Sequence, residues 1–189
     1  MSLEKDSAAF KNAAETRKKV FDDAVEFYNS DLFQWKKYPE TDDTNIVVKA
    51  KSAVYAFFVR NPQEYVDEIL TAVNNIKTNQ KGNGLPKVNT DHKDAFKENG
   101  CLYIGSVTSK TLEERVKQHW RENGKGVGNG TYALKLCDWI SDAGISKEDI
   151  TVYFCDMTGQ EVEIIRNVED CLATMYCPLL GKRGDSPKG

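Results

Sequence analysis

The chain has 189 residues, of which 40% are hydrophobic and 29% are charged, and its formal net charge is -3 at pH 7. That length allows one substantial hydrophobic core and is short for two full domains. A pI near 5.5 excludes a protein that coats nucleic acid through bulk positive charge, so any contact with nucleic acid has to be local.

The five cysteines are odd in number, and no two of them form a C-x-x-C pair. This pattern argues against a zinc knuckle or a closed disulfide framework, and it favours free thiols without the signature of a thiol-dependent enzyme. The N-terminal residues lead directly into charged sequence without the apolar core of a signal peptide, and no stretch is long enough to span a bilayer. We therefore expect an intracellular, cytoplasmic protein.

The first predicted element is an amphipathic helix or helix pair between about residues 8 and 35, where apolar residues recur at three- and four-residue spacing. The segment from Tyr38 to Asn45 contains Pro39 and three acidic residues, which is typical of a loop and a boundary. We therefore divide the chain into an N-terminal helical extension at 1–44 and a main domain at 45–189.

Three strands are predicted in the main domain. Residues 53–59, which read AVYAFFV, are the best candidate in the first half. A second short strand is expected at 101–106, and the alternating sequence at 150–155 indicates a third. The predicted fold is α+β (mixed α/β), with a small central sheet of about three strands that is flanked by helices.

Helices are predicted between and after these strands. One begins at Asn61-Pro62, because proline is favoured at the first helical position. Thr111 and Glu114 fit a capping box, which predicts a helix from about residue 112 to residue 122. A glycine-rich mobile loop is expected at 124–130, and further helices are expected at 132–140 and 160–176.

The most informative residues lie in the second half of the chain. Tyr103-Ile104-Gly105 occupies the second strand, and Arg115 and His119 follow at i, i+4 spacing on one helix face. Glu169 then precedes Pro178 by nine positions. In this order and register the residues resemble the GIY-YIG nuclease family, in which a Tyr-Ile-Gly strand is followed by a helical arginine, a helical glutamate and a Pro-x-x-Asn segment. The resemblance covers about residues 53–183.

The resemblance implies a metal-dependent endonuclease that hydrolyses DNA phosphodiester bonds. Glu169 would hold Mg²⁺ or Mn²⁺, because such hard cations need few protein oxygens and otherwise bind water and phosphate. Arg115 would present its planar guanidinium to the scissile phosphate. Tyr103 would orient phosphate or water by hydrogen bonding, and His119 would act as an auxiliary residue.

The family's first motif, Gly-Ile-Tyr, normally stands shortly before the second, but no such triplet lies directly upstream of Tyr103. The best candidate is Ala53-Val54-Tyr55, which requires an insertion at about 61–100 between neighbouring strands. In that alignment Tyr55 corresponds to the family's proposed general base, which activates the attacking water. We therefore expect the Tyr55 hydroxyl to lie near the Tyr103 hydroxyl and the Glu169 carboxylate.

Two glycines bear on the geometry of such a site. Gly105 is expected to let the backbone turn tightly toward the following helix. Gly181 stands where the family has asparagine, which removes a side-chain hydrogen bond that would orient the end of the chain near the site. The step from Tyr103 to Arg115 is slightly longer than is usual, and the turn at 107–110 can absorb the difference.

Each of these residues also has a purely structural interpretation. Glu169 would be an ordinary exposed helix carboxylate, and Arg115 would be a solvated charge paired with a neighbouring glutamate. His119 and Tyr103 would be core residues that satisfy their polar atoms locally. The alternative function is therefore a catalytically degenerate module of the same fold that binds nucleic acid or protein.

Local positive charge is consistent with DNA, double-stranded or branched, as the partner. Basic residues cluster around the predicted helix at 112–122 and near the C-terminus, and such a stripe could hold a few phosphates. A solvated helix face would have a similar composition. The predicted nucleic-acid-binding residues are Lys110, Lys117, Arg121, Lys125, Lys182 and Arg183.

Overall fold

The computed structural model describes residues 7–38, 50–79, 86–120 and 133–181. These residues form the predicted mixed α+β fold, with five α-helices and an open, four-stranded antiparallel sheet. The helices are α1 (Ser7–Asn29), α2 (Val66–Asn79), α3 (Lys93–Asn99), α4 (Leu112–Trp120) and α5 (Val162–Tyr176). The strands are β1 (Lys36–Lys37), β2 (Ala53–Val59), β3 (Cys101–Val107) and β4 (Ile150–Asp156).

The three predicted strands are confirmed as β2, β3 and β4, and the short β1 is added at one edge to give the order β1-β4-β2-β3. Strand β2 is central and almost completely buried, which explains its continuous run of β-branched and aromatic residues. Its neighbours hold Tyr55 in a fixed register, opposite Gly105 in β3 and Phe154 in β4.

Alternation along β2 separates two hydrophobic clusters. Tyr55 and Phe57 face a cluster that includes the buried residues of α2 and α4. Val54 and Ala56 face the other side, where α1 and α5 pack together. The amphipathic pattern of each helix therefore decides which face of the sheet it covers.

The connection between β2 and β3 spans residues 60–100 and contains α2 and α3. Despite its length, the two strands are direct antiparallel neighbours. The short helix α3 was not predicted from the sequence. It ends at Gly100, which has a positive φ of 72° and whose N–H donates to the Phe96 carbonyl, as expected of a glycine after a helix.

The last described part of the chain, the C-terminal segment Pro178–Gly181, lies beside the beginning of β3. The N–H groups of Leu179 and Leu180 donate to carbonyls of β3 at 3.0 and 2.9 Å. On its other side the segment forms an isolated antiparallel bridge between Leu180 and Val88. The connection between β2 and β3 therefore holds the end of the described chain against the sheet.

Three helix predictions need correction. The helix predicted to begin at Asn61-Pro62 begins only at Val66, because residues 62–64 form a 3₁₀ turn. Helix α1 ends at Asn29 instead of continuing toward residue 35, and the hydroxyl of Ser30 donates to the Phe27 carbonyl at the helix end. The predicted helix at 132–140 is wrong within its described part, where residues 136–138 form only a 3₁₀ turn. Lys135 has a positive φ of 50°, a conformation that cannot continue a right-handed helix.

The helix predicted at 160–176 is confirmed as α5, and the helix predicted from residue 112 is confirmed as α4 up to Trp120. The cysteines are all free thiols. No helix in the described ranges is long and apolar enough to cross a membrane. The predicted boundary near residue 44 and the glycine-rich segment at 124–130 lie outside the described residues.

Candidate functional site

Tyr55 is the centre of the site. It is completely buried in the middle of β2, and its ring extends across the position of Gly105 on the neighbouring strand. A β-carbon at Gly105 would lie 2.6 Å from the Tyr55 hydroxyl oxygen and 2.8 Å from Cζ of the same ring. The glycine is therefore required for space. It lies within β3 and its φ is not positive, so the expected tight turn at Gly105 is wrong.

A capping box sets the register of α4. The Thr111 N–H donates to the Glu114 carboxylate at 2.9 Å, and the Glu114 N–H donates to the Thr111 hydroxyl at 3.2 Å. These bonds satisfy two N–H groups that a helix start otherwise leaves without partners. With the first turn fixed, Arg115 and His119 follow one turn apart and meet the Tyr55 hydroxyl.

Two nitrogen atoms contact the Tyr55 hydroxyl oxygen, Nε of Arg115 at 3.0 Å and Nε2 of His119 at 2.9 Å. The other ring nitrogen of His119, Nδ1, accepts the backbone N–H of Leu134 at 3.0 Å. Burial, reinforced by the charge of Arg115, lowers the pKa of His119 well below its usual value, so the ring is neutral. Its single proton is therefore on Nε2, which donates to Tyr55.

The Tyr55 oxygen consequently accepts two hydrogen bonds, which occupy both of its lone pairs. Its own proton has to point to a third group. Tyr103 is the neighbouring phenol, and burial raises its pKa, while Arg115 and, to a smaller extent, Tyr55 act in the opposite direction. The two tyrosine ring centroids are 6.2 Å apart.

The electrostatic balance keeps both phenols protonated near neutral pH. Burial, followed by the proximity of Tyr103, raises the pKa of Tyr55 well above its usual value, while Arg115 acts in the opposite direction. The negative charge of Glu169 contributes to the raised pKa of both tyrosines. A direct contact of the Glu169 carboxylate with the two phenols stays a prediction.

Glu169 comes from α5, which packs on the opposite face of the sheet from α4. Its Oε2 accepts a hydrogen bond of 2.5 Å from the hydroxyl of Ser106. Ser106 was not predicted as a site residue, although it directly follows the Tyr103-Ile104-Gly105 motif and so lies next to the predicted site residues in the sequence. The bond ties the end of β3 to the carboxylate and limits the positions that the carboxylate can take.

Glu169 is a single half-buried carboxylate, and its Oε2 already accepts a hydrogen bond from Ser106. Among the residues that the structure describes, no three His, Cys, Asp or Glu side chains form a group that could hold a metal ion. A closed structural site of the zinc type is therefore not built from these residues. A single half-buried carboxylate instead suits Mg²⁺ or Mn²⁺, which keep most positions for water and phosphate oxygens.

Arg115 contacts two polar side chains of the described residues. Its Nε donates to Tyr55 and its Nη1 to Oε1 of Gln118 at 3.2 Å, whereas the neighbouring Glu113 pairs with Lys117. Gln118 was also missed by sequence analysis. Arg115 is only half-buried. The Nε side of its guanidinium is held by Tyr55, and the side chain is also partly accessible to solvent.

The predicted nucleic-acid-binding residues are only partly described. Lys110 is exposed, and Lys117 is exposed but ion-paired with Glu113. An additional cation near the start of α4 is Lys51, which together with Lys110 helps to lower the pKa of Glu114 after the larger effect of Thr111. The remaining predicted residues, Arg121, Lys125, Lys182 and Arg183, lie outside the described residues.

Gly181 packs against the ring of Tyr103. Its φ is 99°, and a β-carbon there would lie 2.7 Å from Cε2 and 2.9 Å from Cδ2 of Tyr103. Any larger residue at this position, including the asparagine of the resembled family, would have to displace that ring. The departure from the family pattern at residue 181 therefore has a steric reason in this chain.

In comparisons with known proteins, no family model, no curated protein and no solved structure matches the chain. The resemblance to GIY-YIG nucleases is therefore carried by the residues named above. What the structure adds is that Tyr55, Tyr103, Arg115 and His119 form one contact group, whereas Glu169 lies on α5 and bonds to Ser106.

Proposed function

We propose that the protein is a metal-dependent endonuclease of the GIY-YIG type that hydrolyses phosphodiester bonds in DNA. The observation that carries the proposal is the convergence on the Tyr55 hydroxyl. Arg115 and His119, which lie 60 and 64 residues away along the chain, both bind this oxygen. Tyr103 of the second strand motif lies beside them, with its ring centroid 4.9 Å from that of His119.

In this proposal Arg115 stabilises the negative charge that develops on the scissile phosphate. Its guanidinium carries five N–H donors, so it can bind non-bridging oxygens in addition to, or in exchange for, its contacts with Tyr55 and Gln118. Tyr103 donates a hydrogen bond to phosphate or to the attacking water, which requires no change in its protonation. Both roles use donors that are oriented before substrate binds, and such preorganisation is a large source of rate enhancement.

Tyr55 is the proposed general base. Two N–H groups, one of them cationic, already point at its oxygen. They are arranged to stabilise the deprotonated, phenolate form of Tyr55, which is the form that acts as a base. Burial nevertheless keeps the pKa of Tyr55 high in the protein alone. Glu169 would hold Mg²⁺ or Mn²⁺, whose positive charge lowers the pKa of bound water and of neighbouring acids.

The proposed partner is double-stranded or branched DNA in an intracellular compartment. The net charge of -3 means that phosphate binding depends on a local group of cations. Lys51 and Lys110 are exposed beside the start of α4, on the helix that carries Arg115. Lys117 contributes less, since Glu113 compensates its charge.

A second candidate function is a catalytically degenerate module that binds nucleic acid or protein. The raised pKa of Tyr55 favours it, because a phenol that stays protonated cannot accept a proton from water. The scaffold would then retain Arg115 and Tyr103 as phosphate-binding groups. This candidate requires binding of DNA without turnover.

The proposal is tested by incubating the protein with supercoiled, linear and branched DNA in Mg²⁺ or Mn²⁺, with a chelator as the blank. We expect Glu169→Ala and Arg115→Ala each to reduce cleavage by about 100-fold or more. Glu163→Ala, which removes an exposed carboxylate from α5, is the matched control and should retain activity.

Cleavage that survives both Glu169→Ala and Arg115→Ala would contradict the proposed site. Binding of labelled DNA that is unaffected by Glu169→Ala, together with no cleavage by the parent protein in Mn²⁺, would support the binding module instead. Circular dichroism of each variant separates a loss of chemistry from a loss of folding.

A further inference from the structure

The ring of Tyr103 lies between two glycines. A β-carbon on Gly105 would lie 2.8 Å from Cε1, and one on Gly181 would lie 2.7 Å from Cε2, so backbone approaches both edges next to the hydroxyl. Backbone this close leaves little space for the ring to shift. The position of Tyr103 therefore depends on where Gly181 is held.

Gly181 is held by residues of the connection between β2 and β3. Its N–H donates to the carbonyl of Lys87 at 2.8 Å, and the rest of the C-terminal segment Pro178–Gly181 is bound from the same side. The connection between β2 and β3 therefore holds this segment in position. None of the sequence motifs includes that connection.

Asn89 donates three hydrogen bonds to this segment. It is completely buried, and its Nδ2 donates to the carbonyls of Pro178 at 3.0 Å and Gly181 at 3.4 Å. Its backbone N–H also donates to the carbonyl of Leu179 at 2.9 Å. One side chain therefore connects the two ends of the C-terminal segment.

His92 supports the same segment. Its Nδ1 lies 3.0 Å from the Pro178 carbonyl oxygen, and since a carbonyl only accepts hydrogen bonds, this nitrogen is the donor. His92 is almost completely buried. The Pro178 carbonyl thus accepts hydrogen bonds from two buried side chains of the connection.

We infer that Asn89 is a positioning residue for Tyr103, acting through the C-terminal segment Pro178–Gly181. A side chain at residue 181 cannot orient this segment, because a β-carbon there would collide with the Tyr103 ring. Asn89 supplies the orienting amide from elsewhere in the chain. The effect of Asn89 on cleavage rests on the proposed function, but its effect on the environment of Tyr103 does not.

The first test follows Tyr103 directly by NMR of protein labelled with ¹³C at the tyrosine ζ position. The Tyr103 signal is identified by its absence in Tyr103→Phe. We expect Asn89→Ala to shift or broaden this signal. Gln34→Ala, which removes a side-chain amide bond to the carbonyl of Asp31, should leave it unchanged.

A Tyr103 signal that is identical in Asn89→Ala and the parent protein would overturn the inference. If Asn89→Ala does not fold, His92→Gln weakens the same attachment more mildly and should move the Tyr103 signal in its place. An unchanged signal in that variant would be equally contradictory.

The second test is a double-mutant cycle on single-turnover cleavage. Asn89→Ala should lower the rate at saturating DNA by about 10-fold or more without weakening DNA binding, because small misplacements of a catalytic group are costly. In a Tyr103→Phe background the same change should have little further effect. Additive losses would indicate that Asn89 only stabilises the fold.

The two tests separate the possible failures. If the parent protein does not cleave DNA, the proposed function fails, and the NMR measurement alone still decides whether Asn89 positions Tyr103. If cleavage is observed but the Tyr103 signal does not respond to Asn89→Ala, only the positioning role is contradicted.

Discussion

A backbone group that is not part of any motif determines how the Tyr55 hydroxyl is bound. The N–H of Leu134 occupies Nδ1 of His119, and this forces the His119 proton onto Nε2, where it points at Tyr55. Arg115 supplies the second donor. Because His119 is buried and neutral, its role in this site is to donate a hydrogen bond to Tyr55. It is poorly suited to transfer protons between the site and bulk solvent.

The shape of the Arg115 guanidinium should matter as much as its charge. We expect Arg115→Lys to lose about 100-fold in single-turnover cleavage, because an ammonium group cannot bind Tyr55 and present a planar pair of donors to phosphate at once. Lys117→Arg, two residues further along α4, serves as the control for a change of cation type and should be nearly neutral. Activity of Arg115→Lys close to the parent value would contradict the role given to Arg115.

The lowered pKa of His119 links stability to pH. Since the folded-state pKa lies well below the ordinary value of 6.5, the contribution of this residue is present above 6.5 and is lost as the pH falls below it. Between about pH 7.5 and about pH 5.5 the free energy of unfolding should fall by roughly 1 kcal/mol for this single group.

Urea unfolding at the two pH values, for the parent protein and for His119→Gln, measures this contribution. The difference between the two pH values should be smaller in the variant by about that amount. An equal pH dependence in both proteins would show that His119 is accessible to protons in the folded state.

At the scale of secondary structure elements, the pairing of β2 with β3 creates the site. The register that places Tyr55 opposite Gly105 gives the Tyr55 ring room to lie across the neighbouring strand. Both strands are held at this position although 41 residues, 60–100, separate them in the chain. The length of the connection thus does not prevent the antiparallel pairing that a short hairpin usually provides.

Gly105→Ala should displace the Tyr55 hydroxyl, since the added carbon would lie 2.6 Å from it. We expect a loss of about 1–3 kcal/mol in stability, as for other overpacked sites, together with nearly complete loss of cleavage. Thermal unfolding and single-turnover cleavage measure the two effects.

Gly144→Ala is the control for this substitution. Gly144 has a positive φ of 70° but open space around it, so alanine there costs stability through backbone strain without moving Tyr55. If the two alanine variants lose cleavage to the same extent, stability alone explains the loss at Gly105.

Periodicity and motif spacing predicted the main elements because those signals are local. The three long strands have β-branched or alternating sequences, and the capping box at Thr111 marks the start of α4. The predicted helix at 132–140 failed because Lys135 adopts a positive φ, a consequence of tertiary packing that residue spacing does not encode.

The site shows the same division between local and long-range signals. Arg115 and His119 were predicted to share a helix face from their i, i+4 spacing, and this is confirmed by their common contact with Tyr55. Ser106, Asn89 and the N–H of Leu134 were not predicted. Their partners lie 63, 89 and 15 positions away, so only the folded chain brings them to the site.

At the scale of the whole molecule, the two sides of the sheet contribute different parts of the site. Helix α4 supplies the guanidinium and imidazole on one face, while α5, supported by α1 on the other face, supplies Glu169. The Ser106–Glu169 hydrogen bond attaches α5 to the end of β3. The geometry of the site therefore depends on both hydrophobic clusters. Substitutions in the core of either cluster are expected to alter that geometry.

Single-turnover DNA cleavage by Tyr55→Phe is the decisive measurement for the proposed site, because this substitution removes only the hydroxyl that Arg115 and His119 both bind. Tyr153→Phe, a half-buried tyrosine in β4, is the matched control. We expect Tyr55→Phe to stay folded and to bind DNA but to lose about 100-fold or more of the cleavage rate in Mg²⁺ and Mn²⁺, while Tyr153→Phe cleaves like the parent protein. Cleavage by Tyr55→Phe at the parent rate would contradict the role of the Tyr55 hydroxyl as the general base.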